Sequence, residues 1–210
     1  MSIETFLRPT RGAHEFTADA IRVLGALSIV AGGVGWGFVE IAVFALTLLG
    51  MLIPRFLGVR PGFDIAIGIT LLVAAWCGVF ELYTAVDGLD IVVHFVANAM
   101  IAALAFAVAV RCGVVPAVGA GRAALVRSAV LTTTFGLAAG VLWEIGEWAG
   151  HTFIDSAIFV DYTDTIGDLS VGGLGSLVAG LMIRWLTANS RSTEPIASDA
   201  HARNGRRTAQ

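Results

Sequence analysis

The chain has 210 residues, of which 57% are apolar and only 14% charged, and its mean hydropathy is +0.83. A compact soluble domain of this length has too little interior to hide so much apolar surface, so the composition points to a membrane protein and excludes nucleic-acid binding, with disorder confined to the termini. The net charge of −3 hides a strong polarity along the chain.

In chain order, residues 1–19 carry Glu4, Arg8, Arg11, Glu15 and Asp19 ahead of the first apolar run. That is a poor signal peptide, and the segment is expected to remain as a cytoplasmic extension. Residues 20–53 hold a single acid, Glu40, and a glycine cluster (Gly32, Gly33, Gly35 and Gly37) around Trp36. They fit either one long tilted helix of ~50 Å or two short helices hinged at the glycines. Four later runs, 63–81, 91–110, 128–149 and 166–186, are each long enough to cross the hydrocarbon.

Arginine decides the count, because all 13 basic residues are arginine. With a hairpin at Gly35 to Gly37 every one falls on one side: Arg8, Arg11 and Arg22, then Arg55 and Arg60, then Arg111, Arg122 and Arg127, then Arg184, Arg191, Arg203, Arg206 and Arg207. The expectation is an all-α polytopic transmembrane helix bundle of six spans (about 20–34, 38–53, 63–81, 91–110, 128–149 and 166–186) with both termini cytoplasmic. The polar stretch 187–210 is expected to be a disordered cytoplasmic tail. Cys77 and Cys112 fall near opposite ends of the bilayer, which argues against a disulfide.

The acids sort with the same topology. Ten of the 16 (Glu40, Glu81, Asp87, Asp90, Glu144, Glu147, Asp155, Asp161, Asp164 and Asp168) lie at outer span ends or in outer loops, and no arginine accompanies them. Acids have little influence on orientation, so their concentration requires its own cause. Ionisable groups within apolar helices cost at least ~2.5–3.5 kcal/mol each and mark function by default. Here they come in helical pairs: Asp90 and His94 at i, i+4 with Asn98 one turn on, Glu144 and Glu147 at i, i+3, and Asp164 and Asp168 at i, i+4. With Glu81, four consecutive spans bring acids to about one depth.

Carboxylates converging with an imidazole need protons or a cation to compensate them. One divalent metal ion bound by oxygens and a nitrogen meets that need, and the expected ligands are His94, Asp164, Asp168 and Glu144, with Asp90 and Glu81 as helix-end acids that either bind or cap. Asp87, Asp155 and Asp161 read as solvated loop acids, Glu40 as a hairpin residue and His151 as an exposed loop histidine. Trp36, Trp143 and Trp148 fit an interfacial aromatic belt.

The run Trp143-Glu144-Ile145-Gly146-Glu147-Trp148 is followed by Asp164-Thr165-Ile166-Gly167-Asp168-Leu169 and preceded by Glu81-Leu82-Tyr83 and Asp90-Ile91-Val92-Val93-His94. In this order the motifs resemble the YjdF-like inner-membrane protein family over residues 21–184. The resemblance implies a multi-pass protein of the bacterial inner membrane whose family motifs fall on Glu81, Asp90, His94, Glu144, Glu147, Asp164 and Asp168, and it brings no activity with it. Asn98 departs from the pattern, standing where a small residue is common. So does Gly172, where a further acid often follows, and that change argues against a two-metal site.

Three functions follow as expectations. The first is a metal-dependent hydrolysis or transfer on a lipid-borne substrate, with Glu144 or Glu147 as the catalytic general base. The second is a cation- or proton-coupled transporter, opposed by inner span halves built almost wholly of Ala, Val, Leu, Ile and Gly. The third is a non-catalytic membrane scaffold in which buried acids fix helix register. Beyond the lipid bilayer, the sequence identifies no partner and no oligomeric state.

Overall fold

A computed structural model of the chain describes residues 3–10 and 12–188, apart from the side chain of Glu4. The expected tail lies outside the described residues beyond position 188. Among the described residues all regular structure is helical: α1 (Ile3–Phe6), α2 (Ala13–Gly35), α3 (Phe38–Leu57), α4 (Pro61–Val79), α5 (Leu82–Ala85), α6 (Leu89–Arg111), α7 (Arg122–Phe153), α8 (Tyr162–Leu181) and α9 (Ile183–Leu186). Five of them, α2, α3, α4, α6 and α7, are long and apolar enough to cross a membrane. The 20 residues of α8 would also reach about 30 Å, but Asp164, Asp168 and its glycines make it less apolar. The buried share of the most apolar stretch runs from 22% in α3 to 39% in α6, so most of the apolar surface points outward, as it does where lipid is the solvent.

The ambiguous stretch 20–53 is two helices. The chain turns at Trp36 and Gly37, where Gly37 adopts φ 131°, a conformation that other residues rarely reach. Small residues then let α2 lie close against α3. A methyl group on Gly32 would come 2.8 Å from the Phe44 ring, and one on Gly33 would come 2.7 Å from Ile41.

The helices form two groups of three. In one, α2, α3 and α4 pack mutually; in the other, α6, α7 and α8 do; and α6 joins them through its contacts with α4 and α3. Both ends of the described chain lie at the arginine-rich end of the bundle. There the Arg55 guanidinium donates to the carbonyls of Phe6 and Arg8 at 3.2 and 2.8 Å, and Arg60 lies 4.0 Å over the Trp185 ring. The apolar core is centred at that end too, on Leu57, Phe63, Ile67, Phe106, Ile183 and Leu186. Thr187 is buried and donates to Ile183 at 2.7 Å, so it belongs to the packed body rather than to the tail expected to begin there.

Helix α2 begins at Ala13, well before the apolar run, because its first turns are held by ion pairs. Arg22 is buried and donates to the Met51 carbonyl at 2.9 Å, to Asp19 at 2.8 Å and to buried Asp64 on α4. Arg55 adds a contact to Asp19 at 3.5 Å. These arginines were readable as topology signals, yet the structure gives Arg22 and Arg55 packing roles as well.

Asn98 and Gly172, the two departures from the family pattern, stand against each other. A methyl group on Gly172 would collide with the Asn98 amide and come 2.9 Å from its Cγ. The larger side chain on α6 therefore fills the space that a side chain on α8 would need.

Two outcomes follow for the purified protein in detergent. Arg22→Met strands Asp64 without its partner and should remove about 3–5 kcal/mol of stability, with the pair Arg22→Met/Asp64→Leu recovering most of it, both read as thermal midpoints. Gly172→Ala should cost about 1–3 kcal/mol through overpacking. Adding Asn98→Ala should restore part of that loss, and a double variant no more stable than Gly172→Ala would contradict the described packing.

Candidate functional site

Helix α6 starts after Gly88, which takes a left-handed turn at φ 76° and feeds Asp90 into the first helical turn. From there Asp90, His94 and Asn98 recur one turn apart on one side of α6. Helix α8 is capped by Asp161, whose carboxylate accepts from the backbone N–H groups of Thr163 at 2.8 Å and Asp164 at 3.3 Å. Asp161 thus has a definite task, unlike the solvated loop acid expected, and its cap fixes where Asp164 and Asp168 fall.

Glycine brings α6 and α8 together. A side chain at Gly175 would collide with the Phe95 carbonyl, so only hydrogen allows this approach. At that spacing the His94 Nε2 lies 3.4 Å from Asp90 Oδ1 and 3.6 Å from Asp168 Oδ2. One ligand atom from each of the three residues lies within 4.8 Å of the others. Asp168 is buried, while Asp90 and His94 are half-buried. The two carboxylates and the imidazole therefore share one small volume that borders the exposed surface.

Helix α7 supplies the other acids. Glu144 and Glu147 are both half-buried, and Thr165 on α8 donates to Glu144 at 2.8 Å. Glu147 and Asp164 each lie within electrostatic reach of Glu144 and Asp90, and Asp168 within reach of Asp90, Asp164 and Glu144. Tyr83 of α5 is half-buried within electrostatic reach of Asp90, Glu147 and Asp168. Its hydroxyl donates to the Ala74 carbonyl at 2.7 Å, and burial, reinforced by the charges of Cys77, Asp90, Glu147 and Asp168, pushes its ionisation above the usual tyrosine range.

Of the site residues expected from the sequence, the structure thus gathers Asp90, His94 and Asp168 into the closest group and sets Asp164, Glu144 and Glu147 beside it. Glu81 is not in that closest group and is exposed at the head of α5 in a left-handed conformation of φ 55° that is uncommon for a residue with a side chain. His151 is exposed in the last turn of α7, and its Nδ1 lies 2.6 Å from the Ile158 carbonyl. Asp155 holds the following loop by accepting from the N–H of Ala157 at 2.9 Å. Trp36 is half exposed and packs edge-on against Trp76 and Phe80.

Sequence reasoning passed over Thr165 and Tyr83. Thr165 could have been found from its place in the Asp-Thr-Ile-Gly-Asp run, three residues before Asp168. Tyr83 ends the Glu81-Leu82-Tyr83 run, but its part depends on how the α4 to α6 connection folds back.

The cluster's ion pairs run through His94, and among the described residues no arginine pairs with these acids. Such a group can hold one cation, or else share protons among its carboxylates. No match emerges among curated proteins or among solved structures. A family model described as "Predicted membrane protein (DUF2238)", for which YjdF-like is a known name, matches residues 20–189 and takes in the whole cluster. With that match covering most of its length, the chain belongs to the DUF2238 family of predicted membrane proteins.

Proposed function

We propose that Asp90, His94 and Asp168 bind one divalent cation, and that the ion serves hydrolysis or group transfer on a lipid-borne substrate. The observation that carries this reading is the spacing around His94. Its separations of 3.4 and 3.6 Å from the two carboxylates are longer than good N–H···O hydrogen bonds. Ligand atoms bonded to one ion at ~2.0–2.2 Å stand about 3.0–3.6 Å from their neighbours, which is the spacing of His94 from each carboxylate, and all three ligand atoms lie within 4.8 Å of one another. Three protein ligands leave positions for water and for a substrate oxygen, as catalytic metal sites require.

The neighbouring acids fit the chemistry. Held by Asp90, His94 and Asp168 beside Glu144 and Glu147, such an ion would supply Lewis-acid chemistry, acidifying water and polarising a phosphoryl or carbonyl oxygen. Either glutamate can take the proton as the water oxygen bonds to the phosphorus or carbon, and can return it to the departing alcohol as the ester bond breaks. Within this reading α8 is the sixth span, both termini are cytoplasmic in a bacterial inner membrane, and the cluster opens toward the outer leaflet. The support is the arginine rule together with the common location of both ends of the described chain.

A second reading, passage of cations or protons, gains from one feature. The inner span halves are mostly apolar, yet Asn98, Ser176, Thr132 and Ser128 are buried along α6, α8 and α7. The hydroxyls of Thr132 and Ser128 have no hydrogen-bond partner among the described residues. The row ends at the apolar core of the arginine-rich end, so it stands behind the first reading.

Elemental analysis of the purified full chain should find about one divalent ion per chain, lost in His94→Ala and in Asp168→Asn and retained in Glu147→Gln. Absence of a stoichiometric metal, or retention in His94→Ala, removes the cation reading. Proton or cation flux in liposomes that is abolished by Glu144→Gln puts the second reading in its place.

A further inference from the structure

A groove of about 470 Å³ runs along the outside of α7 and α8 toward the arginine-rich end, lined by Leu125, Val126, Ala129 and Val130 on one side and Leu177 and Leu181 on the other. That volume lies within the ~300–1,000 Å³ of clefts that hold small ligands. Thr133 and Thr134 also line it, but their hydroxyls donate to the carbonyls of Ala129 and Val130 at 2.8 and 2.9 Å, so the wall offers an apolar surface.

The charges stand at one end. Arg122 opens α7 one turn before Leu125 and Val126, and Arg184 lies in α9 one turn beyond Leu181. Both are exposed, and neither has a hydrogen-bond or ion-pair partner among the described residues. Arg22 and Arg55 differ in being buried and paired. Trp185 is exposed beside Arg184, as suits a ring at headgroup level.

We infer that this groove is a binding site for one anionic phospholipid, with an acyl chain laid between α7 and α8 and its phosphate held between Arg122 and Arg184. An apolar channel inside the membrane-facing surface suits a hydrocarbon chain, and two unpaired guanidiniums at its mouth suit a phosphate oxygen pair. A second protein copy would bring its own Arg122 and Arg184 to the same end, so charge selects a lipid over self-association. The site is separate from the cation cluster and does not rest on it.

The test is native mass spectrometry of the full chain from nanodiscs holding equal amounts of phosphatidylglycerol and phosphatidylcholine. One phosphatidylglycerol should be retained in preference. Each of Arg122→Gln and Arg184→Gln should lower that preference about fivefold, while the lysine variants keep it. Leu177→Trp, which fills the groove without touching the charges, should displace the lipid. Helicity of every variant is checked by circular dichroism. Equal retention of both lipids, or a preference unchanged in the double glutamine variant or in Leu177→Trp, overturns the proposal. A dimer that Leu177→Trp converts to monomer overturns it in favour of a second copy as the occupant.

Discussion

A charge taken into an apolar helix bundle has to be compensated, and the two ends of this molecule meet that demand differently. At the arginine-rich end compensation is internal: Arg22 reaches Asp19, Asp64 and the Met51 carbonyl, and Arg55 reaches Asp19 and the N-terminal carbonyls. A guanidinium with five donors can satisfy several acceptors at once, so that cluster closes on itself. At the other end Asp90, Asp168, Asp164, Glu144 and Glu147 have a single imidazole among them. Compensation there has to come from outside the chain, as protons or as a cation, and this sets what that end can do.

Small residues determine whether the acids meet at all. Lipid tails are as apolar as the helices, so burial drives helix association only weakly, and close packing takes its place. Gly175 against the Phe95 carbonyl and Gly136 against Ser176 leave no room for side chains, and a methyl group on Gly180 would come 2.7 Å from the Ala129 backbone. These contacts hold α6, α7 and α8 at one spacing. The same spacing that forbids a side chain at 172 beside Asn98 places Asp168 across from His94, so the site is a consequence of the packing beneath it.

Membership of a predicted membrane protein family accounts for the apolar helices and says nothing of the chemistry. The chemical reading rests on the distances around His94 and on two glutamates standing next to the three closest groups. Both readings, metal-assisted transfer and ion passage, depend on that one cluster. They differ in whether the buried hydroxyls below it matter, because a path must continue through the bundle and a hydrolytic site need not.

Much of the helical layout was legible from the sequence by itself. Apolar runs located α3, α4, α6 and α7, the arginine distribution selected a hairpin at Gly37 over one long helix, and the i, i+4 spacings put Asp90 with His94 and Asp164 with Asp168 on single helix faces. These are properties of one helix or of its chemistry against lipid, and they need no partner. The selection of Asp90, His94 and Asp168 as the closest group, the exposure of Glu81, the Arg22 to Asp64 pair and the fit of Asn98 over Gly172 were decided only in three dimensions. Periodicity fixes the face on which a residue lies, but not the rotation, depth and neighbour of that face, which follow from glycine contacts between segments far apart in the chain.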